Sequence, residues 1–422
     1  MRYRVNHLIY AAGKDIMNTI RTGITFRSPV NTAVLEKALK DTVSRFPYFA
    51  VRLERIGEEY FWCPNKLPMV ISHGKRALTL NSEESNYHVF AFSCEGNNLY
   101  IDTSHFITDG MGKFSFIKTL LYLYLSEIYP DEEFDTSYIA LPGSDIHPKE
   151  MADYPYPDEL LPTKPIGSIT RPENVYLPDN QLSGYTNRKK WTSFCFKIRQ
   201  KHLMSYVSTV DGSPASFIAT LIYRAISDLH PDNSLPLVCG MQHQYRKALG
   251  NMHSHNSHVN IIPINYPERL KGKSIELLNT MARGSLVIRA DVDNDMLTIN
   301  EHIKNEKKIK EMTLSEKHEY MRSVLLDGIG TNTFEVSYTG RVPWNGLDKY
   351  ITNFVPYIDM SLSGGISAEI FSLGDYFSIN IMQRSEDPEY VDRIKELLDE
   401  LDIDFTFEKP EYFCISDFEL PD

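Results

Sequence analysis

Residues 98–116 read NLYIDTSHFITDGMGKFSF. A short apolar run ends at His105, Asp109 and Gly110 follow, and Phe114, Ile117, Leu121, Leu125 and Ile128 then recur at helical spacing. The pattern predicts a strand, a tight loop and a helix of about five turns. An imidazole is the side chain whose ordinary pKa lies nearest neutrality, so one at a strand end can take and return a proton. Gly110 is expected to allow a backbone turn that other residues resist. The positive end of the following helix falls near the loop. Three readings remain open on these residues alone: a proton-carrying His105, a surface His before an Asp that caps a helix, and a metal pair at i, i+4.

Working outward, the first part of the chain alternates strands and helices. TGITFRS reads as a strand, and NTAVLEKALKDTVSRF as a helix with Val34, Leu35, Ala38, Leu39, Thr42, Val43 and Phe46 in helical register, stopped by Pro47. AVRLER and EYFWC are further strands, and NYHVFAFSC with NLYIDTS form a hairpin across EGN. Between residues 142 and 178 eight prolines exclude regular elements and mark a linker. Beyond it, RKKWTSFCFKI is strand-like, and Ser213 caps a helix that Pro214 opens. LPLVCGM, HVNIIPINY, TFEVSYTG, SAEIFSLG and YFSINIMQ are strands. A long polar helix is expected over about 299–325, and DPEYVDRIKELLDEL closes the chain as a helix. The expected organisation is an α/β half over 1–141, a linker over 142–178 and a second α/β half over 179–422.

With 422 residues the chain exceeds one ordinary core. A net charge of −12 disfavours nucleic acid and anionic membrane as partners, since both need clustered Lys and Arg. No apolar run approaches the roughly 20 residues of a membrane span, and the first residues make a poor signal peptide. Five scattered cysteines without a CxxC pair point to reduced thiols and a cytoplasmic location.

Other candidates carry two readings each. Ser337, Tyr338 and Thr339 in EVSYTG are hydroxyl donors at a strand end, suited either to a developing oxyanion or to a plain β-favouring turn. His253, His255 and His258 in MHSHNSHVN read as a polar loop rather than a metal site, because no matching carboxylate or Cys pattern stands beside them. Lys307, Lys308 and Lys310, and Arg188, Lys189 and Lys190, are basic runs that suit phosphates or merely a solvated face. No GxSxG elbow, zinc-protease helix or complete dinucleotide fingerprint is present.

HFITDG resembles the HxxxDG motif of the CoA-dependent acyltransferase superfamily, which includes alcohol acetyltransferases, plant BAHD acyltransferases, chloramphenicol acetyltransferase and condensation domains. NTAVLEKALKDTVSRFPYFAVRLE, SPASFIATLIYRAISDLHP, QYRKALGN and EVSYTGRV resemble further segments in the same order, closest to the microbial alcohol acetyltransferases. Ser104 stands where condensation domains usually carry a second His, and the DFGWG motif of plant members is missing.

The resemblance implies two chloramphenicol-acetyltransferase-like α/β sandwich halves with a channel between them. It implies His105 as general base, and Asp109 turned from substrate to pair with Arg246 and fix the loop with Gly110. Ser337, Tyr338, Thr339 and Asn256 would then lie along the channel. The implied activity moves an acetyl or short acyl group from CoA, as co-substrate and with no bound cofactor or metal, to a small-molecule alcohol or amine. Two alternatives are a condensation-type enzyme fed by an acyl carrier protein and a non-catalytic ligand-binding member of the fold.

Overall fold

A computed structural model describes residues 2–151, 156–164, 171–178, 191–328 and 331–421. The strands β1 (Tyr3–Arg4), β2 (Thr19–Phe26), β3 (Val51–Ile56), β4 (Glu59–Pro64), β5 (Ile71–His73), β6 (Phe90–Glu95) and β7 (Asn98–Ser104) surround two helices, α1 (Thr32–Arg45) and α2 (Gly110–Ile128). Asn31 caps α1 through Oδ1, which accepts from Val34 N at 3.2 Å, and Leu35, Ala38, Leu39 and Thr42 bury one face. β6 and β7 form the hairpin expected from sequence, with Gly96 in the left-handed region at the turn.

After the proline-rich stretch the chain runs through β8 (Trp191–Arg199), α3 (Gln200–Thr209), α4 (Pro214–Leu229), β9 (Leu237–Gln244), β10 (Val259–Tyr266), α5 (Ile275–Arg289), α6 (Val292–Ile309) and α7 (Leu314–Gly328). It finishes with β11 (Phe334–Tyr338), β12 (Ile351–Ile358), β13 (Ile366–Leu373), β14 (Tyr376–Gln383), α8 (Glu389–Glu400), β15 (Phe405–Phe407) and β16 (Glu411–Phe413). The described residues of 142–178 form no helix or strand. The basic run Arg188, Lys189 and Lys190 lies outside the described residues.

The strands form a large sheet, β10-β9-β11-β13-β14-β8-β15, a five-stranded sheet, β12-β2-β7-β6-β5, and a small one, β1-β4-β3. In the large sheet alternate residues go to opposite sides. Phe196, Cys239, Met241, Phe334, Val336, Ala368, Ile370, Phe377 and Ile379 pack into one apolar cluster with α4 and α8. The intervening positions carry Gln242, Glu335, Ser337, Ser367, Glu369, Ser378 and Asn380. The face turned from those helices is thus unusually polar for a buried surface.

Two features depart from the sequence reading. The long helix expected over 299–325 is two helices, because Thr313 and Glu316 cap a new start: Thr313 N donates to Glu316 Oε2 at 2.8 Å. The unanticipated β12, although it follows residue 178, pairs antiparallel with β2, placing Phe354 opposite Ile24. The five-stranded sheet is therefore completed by a strand that lies more than 300 residues further along the chain than β2.

β12 also ties the two large sheets together. Phe354 stacks on Phe371 of β13 with ring centroids 4.1 Å apart, and Phe114 of α2 and Trp344 close around the pair. Phe354 is 3% exposed. Truncating such a ring removes a large apolar area and leaves a cavity between the sheets. Phe354→Ala should cost about 3–5 kcal/mol in chemical denaturation, with Phe354→Leu losing markedly less.

Candidate active site

His105 follows β7 directly, and its main-chain N–H donates to Asn18 O at 2.7 Å, so the ring leaves the sheet from a fixed point. Asp109 is the N-cap of α2 and is fully enclosed. Its Oδ1 accepts from Gly112 N–H and from Arg246 Nη2, each at 2.8 Å, and its Oδ2 accepts from His258 N–H at 2.9 Å. The capping reading and the ion-pair reading of this residue thus describe one geometry. Burial alone would raise the carboxyl; Arg246 and the two N–H groups outweigh it and hold the pKa below the ordinary value. Arg246 is itself buried and donates further to Ser254 O and Asn256 O, both at 2.8 Å.

Gly110 is not in the left-handed region, and a side chain there would meet open space, so no backbone turn demands glycine at that position. The demand falls on Gly112, which the sequence reading passed over. A Cβ there would sit at 2.3 Å from the main-chain oxygen of His255 and 2.4 Å from Thr108 Oγ1. The start of α2 can pass the 253–258 loop only without a side chain.

His105, Asp109, Gly110, Ser337, Tyr338 and Thr339 line one cavity of about 400 Å³. Its walls come from α2 and the paired strands β2 and β12 on one side and from β9, β11 and β13 on the other. Asn256 does not line it; that residue borders a narrow neighbouring space shared with Ser257 and Phe106. Ser257 Oγ stands 3.2 Å from His105 Nδ1, and the backbone of His105 and Thr108 also hydrogen-bonds the ring. Burial pushes the imidazole pKa below its ordinary value, with Asp109 opposing in part.

The three loop histidines separate. His255 Nδ1 is 2.8 Å from Tyr48 OH, His258 Nε2 is 2.8 Å from Ser254 Oγ, and His253 stacks on His147. No group of three metal-ligating side chains occurs among the described residues. Lys307, Lys308 and Lys310 lie at the end of α6 away from the cavity, with Lys308 Nζ 4.0 Å from the Tyr320 ring centroid.

Sequence reasoning missed three charged residues in the cavity wall. Lys113 donates to Thr22 Oγ1 at 2.9 Å, and burial drives its ammonium down to about 7. Burial raises the carboxyls of Glu335 and Glu369, each to about 7. The available signal was a lone charge inside each of two otherwise uncharged strands, FEVSY and ISAEIFSL.

Solved structures resemble this architecture over nearly its whole length. TRI101 of F. graminearum, complexed with coenzyme A and deoxynivalenol, superposes with a TM-score of 0.64 at 13% identity, covering 96% of this chain and 99% of that one. Polyketide synthase associated protein 5 from Mycobacterium tuberculosis matches at 0.56 and 12% identity, covering 94% and 96% of the two chains. The condensation domain of the Monacolin K polyketide synthase MokA matches at 0.54 and 9%, covering 94% and 95%. The chain has a two-lobed, chloramphenicol-acetyltransferase-like fold. No protein-family model matches the sequence, and no curated protein matches it. No helix among the described residues is long and apolar enough to cross a membrane.

The Asp109–Arg246 pair is 1% and 4% exposed, so removing one member strands a buried charge. Arg246→Ala should destabilise the fold by roughly 3–5 kcal/mol at neutral pH. The depressed Asp109 pKa contributes stability above the ordinary carboxylate value that is lost as pH falls through the folded value. The stranded carboxyl of the variant instead gains from protonation. The deficit between the two proteins should therefore shrink as denaturation is repeated at falling pH.

Proposed function

We propose that this protein is an acyltransferase that moves an acetyl or short acyl group from CoA to a small-molecule alcohol or amine, with His105 as general base. The observation that carries the reading is the placement of His105: its imidazole lines a cavity walled by both lobes, with Nδ1 3.2 Å from Ser257 Oγ. The tautomer with its hydrogen on Nδ1 leaves Nε2 as the base. The depressed pKa keeps that ring neutral at physiological pH, ready to accept a proton.

In the proposed step the acceptor O–H or N–H gives its proton to Nε2 as its oxygen or nitrogen bonds to the thioester carbonyl carbon. The carbonyl electron pair moves onto oxygen. When the tetrahedral species collapses, the carbon–sulfur bond breaks and the CoA thiolate takes the proton back from Nε2. Products are an ester or amide and free CoA, and no covalent enzyme intermediate forms. Thr339 is the assigned oxyanion donor: it lines the cavity and its hydroxyl has no hydrogen-bond partner among the described residues, whereas Ser337 is engaged by the Glu369 carboxyl. Asp109, Arg246 and Gly112 act on geometry, fixing the loop that carries His105. The five free cysteines suit the reducing cytoplasm in which we place the protein.

Thiol release from acetyl-CoA across a panel of alcohols and amines tests the activity. His105→Ala should lower turnover about 10²–10⁴-fold with an unchanged far-ultraviolet circular dichroism spectrum. Thr339→Val should cost about 10²-fold, and Ser337→Ala clearly less. Thiol release only from an acylated carrier protein would favour the condensation-type reading; a ligand bound with no thiol release from either donor would favour a binding protein.

The acid limb of the kcat/KM profile should fall below about 6.5, the ordinary imidazole value, because burial disfavours the charged ring. A limb at or above that value would count against His105 as the base.

A further inference from the structure

β11 and β13 are parallel neighbours, with Ser337 in register with Glu369 and Glu335 in register with Ser367. Phe334, Val336, Ala368 and Ile370 point to the helices, so Glu335, Ser337 and Glu369 face the cavity together. Both carboxylates are enclosed, at 5% and 6% exposure. Glu335 is supported: Asn332 Nδ2 lies 3.5 Å from Oε1, Gln242 approaches it, and Arg171 and Arg384 offset its charge. Glu369 has the Ser337 hydroxyl, while its Oε1 has no hydrogen-bond partner among the described residues.

A buried carboxylate oxygen without a donor is costly, and strand geometry does not require an acid at that position. The other charged groups around Glu369 do not resolve it. Lys113 attracts it across the cavity, but donates its hydrogen bond to Thr22. Asp109 is paired with Arg246. Glu335 repels it. A neutral hydroxyl would satisfy the orphan oxygen only; a cationic donor would also relieve the like-charge repulsion.

We propose that the acceptor seated in this cavity carries a protonated amine, and that Glu369, with Glu335 behind it, is the subsite that binds that ammonium group. The acceptor's role rests on the acyltransferase reading, whereas the subsite acts in binding alone. The preferred substrates are then amino alcohols or polyamines rather than simple alcohols, with the group that is acylated lying at His105 and a second, cationic nitrogen at Glu369. No proton or bond changes at Glu369 during turnover.

Binding is measured by calorimetry on the His105→Ala protein, which separates recognition from chemistry. The probes are matched pairs of increasing size sharing one carbon skeleton, beginning with 2-amino-1-phenylethanol against 1-phenylethanol. At least one amine should bind about tenfold more tightly than its deaminated partner. Glu369→Gln, which keeps the side chain's shape, should erase that preference while the folded spectrum is retained. If no amine in the series outbinds its partner, or if the preference survives in Glu369→Gln, the subsite is overturned. Thiol release by the unmodified protein distinguishes the two ideas. Amine preference in binding without any thiol release retains the subsite and removes the acyltransferase; thiol release with amines and deaminated alcohols bound alike does the reverse.

Discussion

One carboxylate, that of Asp109, organises the centre of this molecule. Its oxygens take donors from the first turn of α2, from the Arg246 side chain and from the main chain of the 253–258 loop. Those donors lie on both sides of the cavity, so satisfying one buried charge also fixes the relation of the two lobes where they meet. The arrangement is all or nothing in physical terms. A carboxylate so enclosed is tolerable only with its full set of partners, and the set exists only when α2 and the loop approach closely enough to exclude a side chain at residue 112. The short path from Asp109 to His105 makes the imidazole's position a by-product of that closure.

The cavity beyond it combines two kinds of wall. Stacked rings of Phe354 and Phe371 close one side and join the two sheets. The polar face of the large sheet supplies the other, with carboxyl, hydroxyl and amide groups spaced by strand alternation. Low polarisability around these groups moves their protonation toward neutrality, as it does for Lys113, Glu335 and Glu369. Water-poor surroundings and poised ionisable groups are the conditions under which small differences in ligand charge are felt strongly.

Much of this was legible from sequence wherever the signal was local. Asn31 and Ser213 as caps, Pro214 as a helix start, the β6–β7 hairpin and the strand–loop–helix at His105 all depend on neighbours within a few residues. The partnership of Asp109 with Arg246 spans 137 positions and came only through family resemblance, not through spacing. β12 was invisible because ITNFVPYI contains a proline and reads as an interrupted strand; its partner β2 lies over 300 residues earlier. Glycine 112 and the Glu335–Glu369 pair escaped for a related reason. What makes a glycine obligatory or a glutamate anomalous is the distant backbone or cavity it meets, and neither is encoded beside it.

The return of β12 to β2 has a consequence for how the chain is made. Until residue 358 has left the ribosome, the flank of β2 that it covers has no partner in the native sheet. At usual speeds of synthesis that interval is on the order of tens of seconds. A nascent strand with open amides is a template for pairing with the wrong neighbour. Production of this protein thus carries a kinetic hazard set by connectivity rather than by the strength of the finished fold, and slower translation would lengthen it.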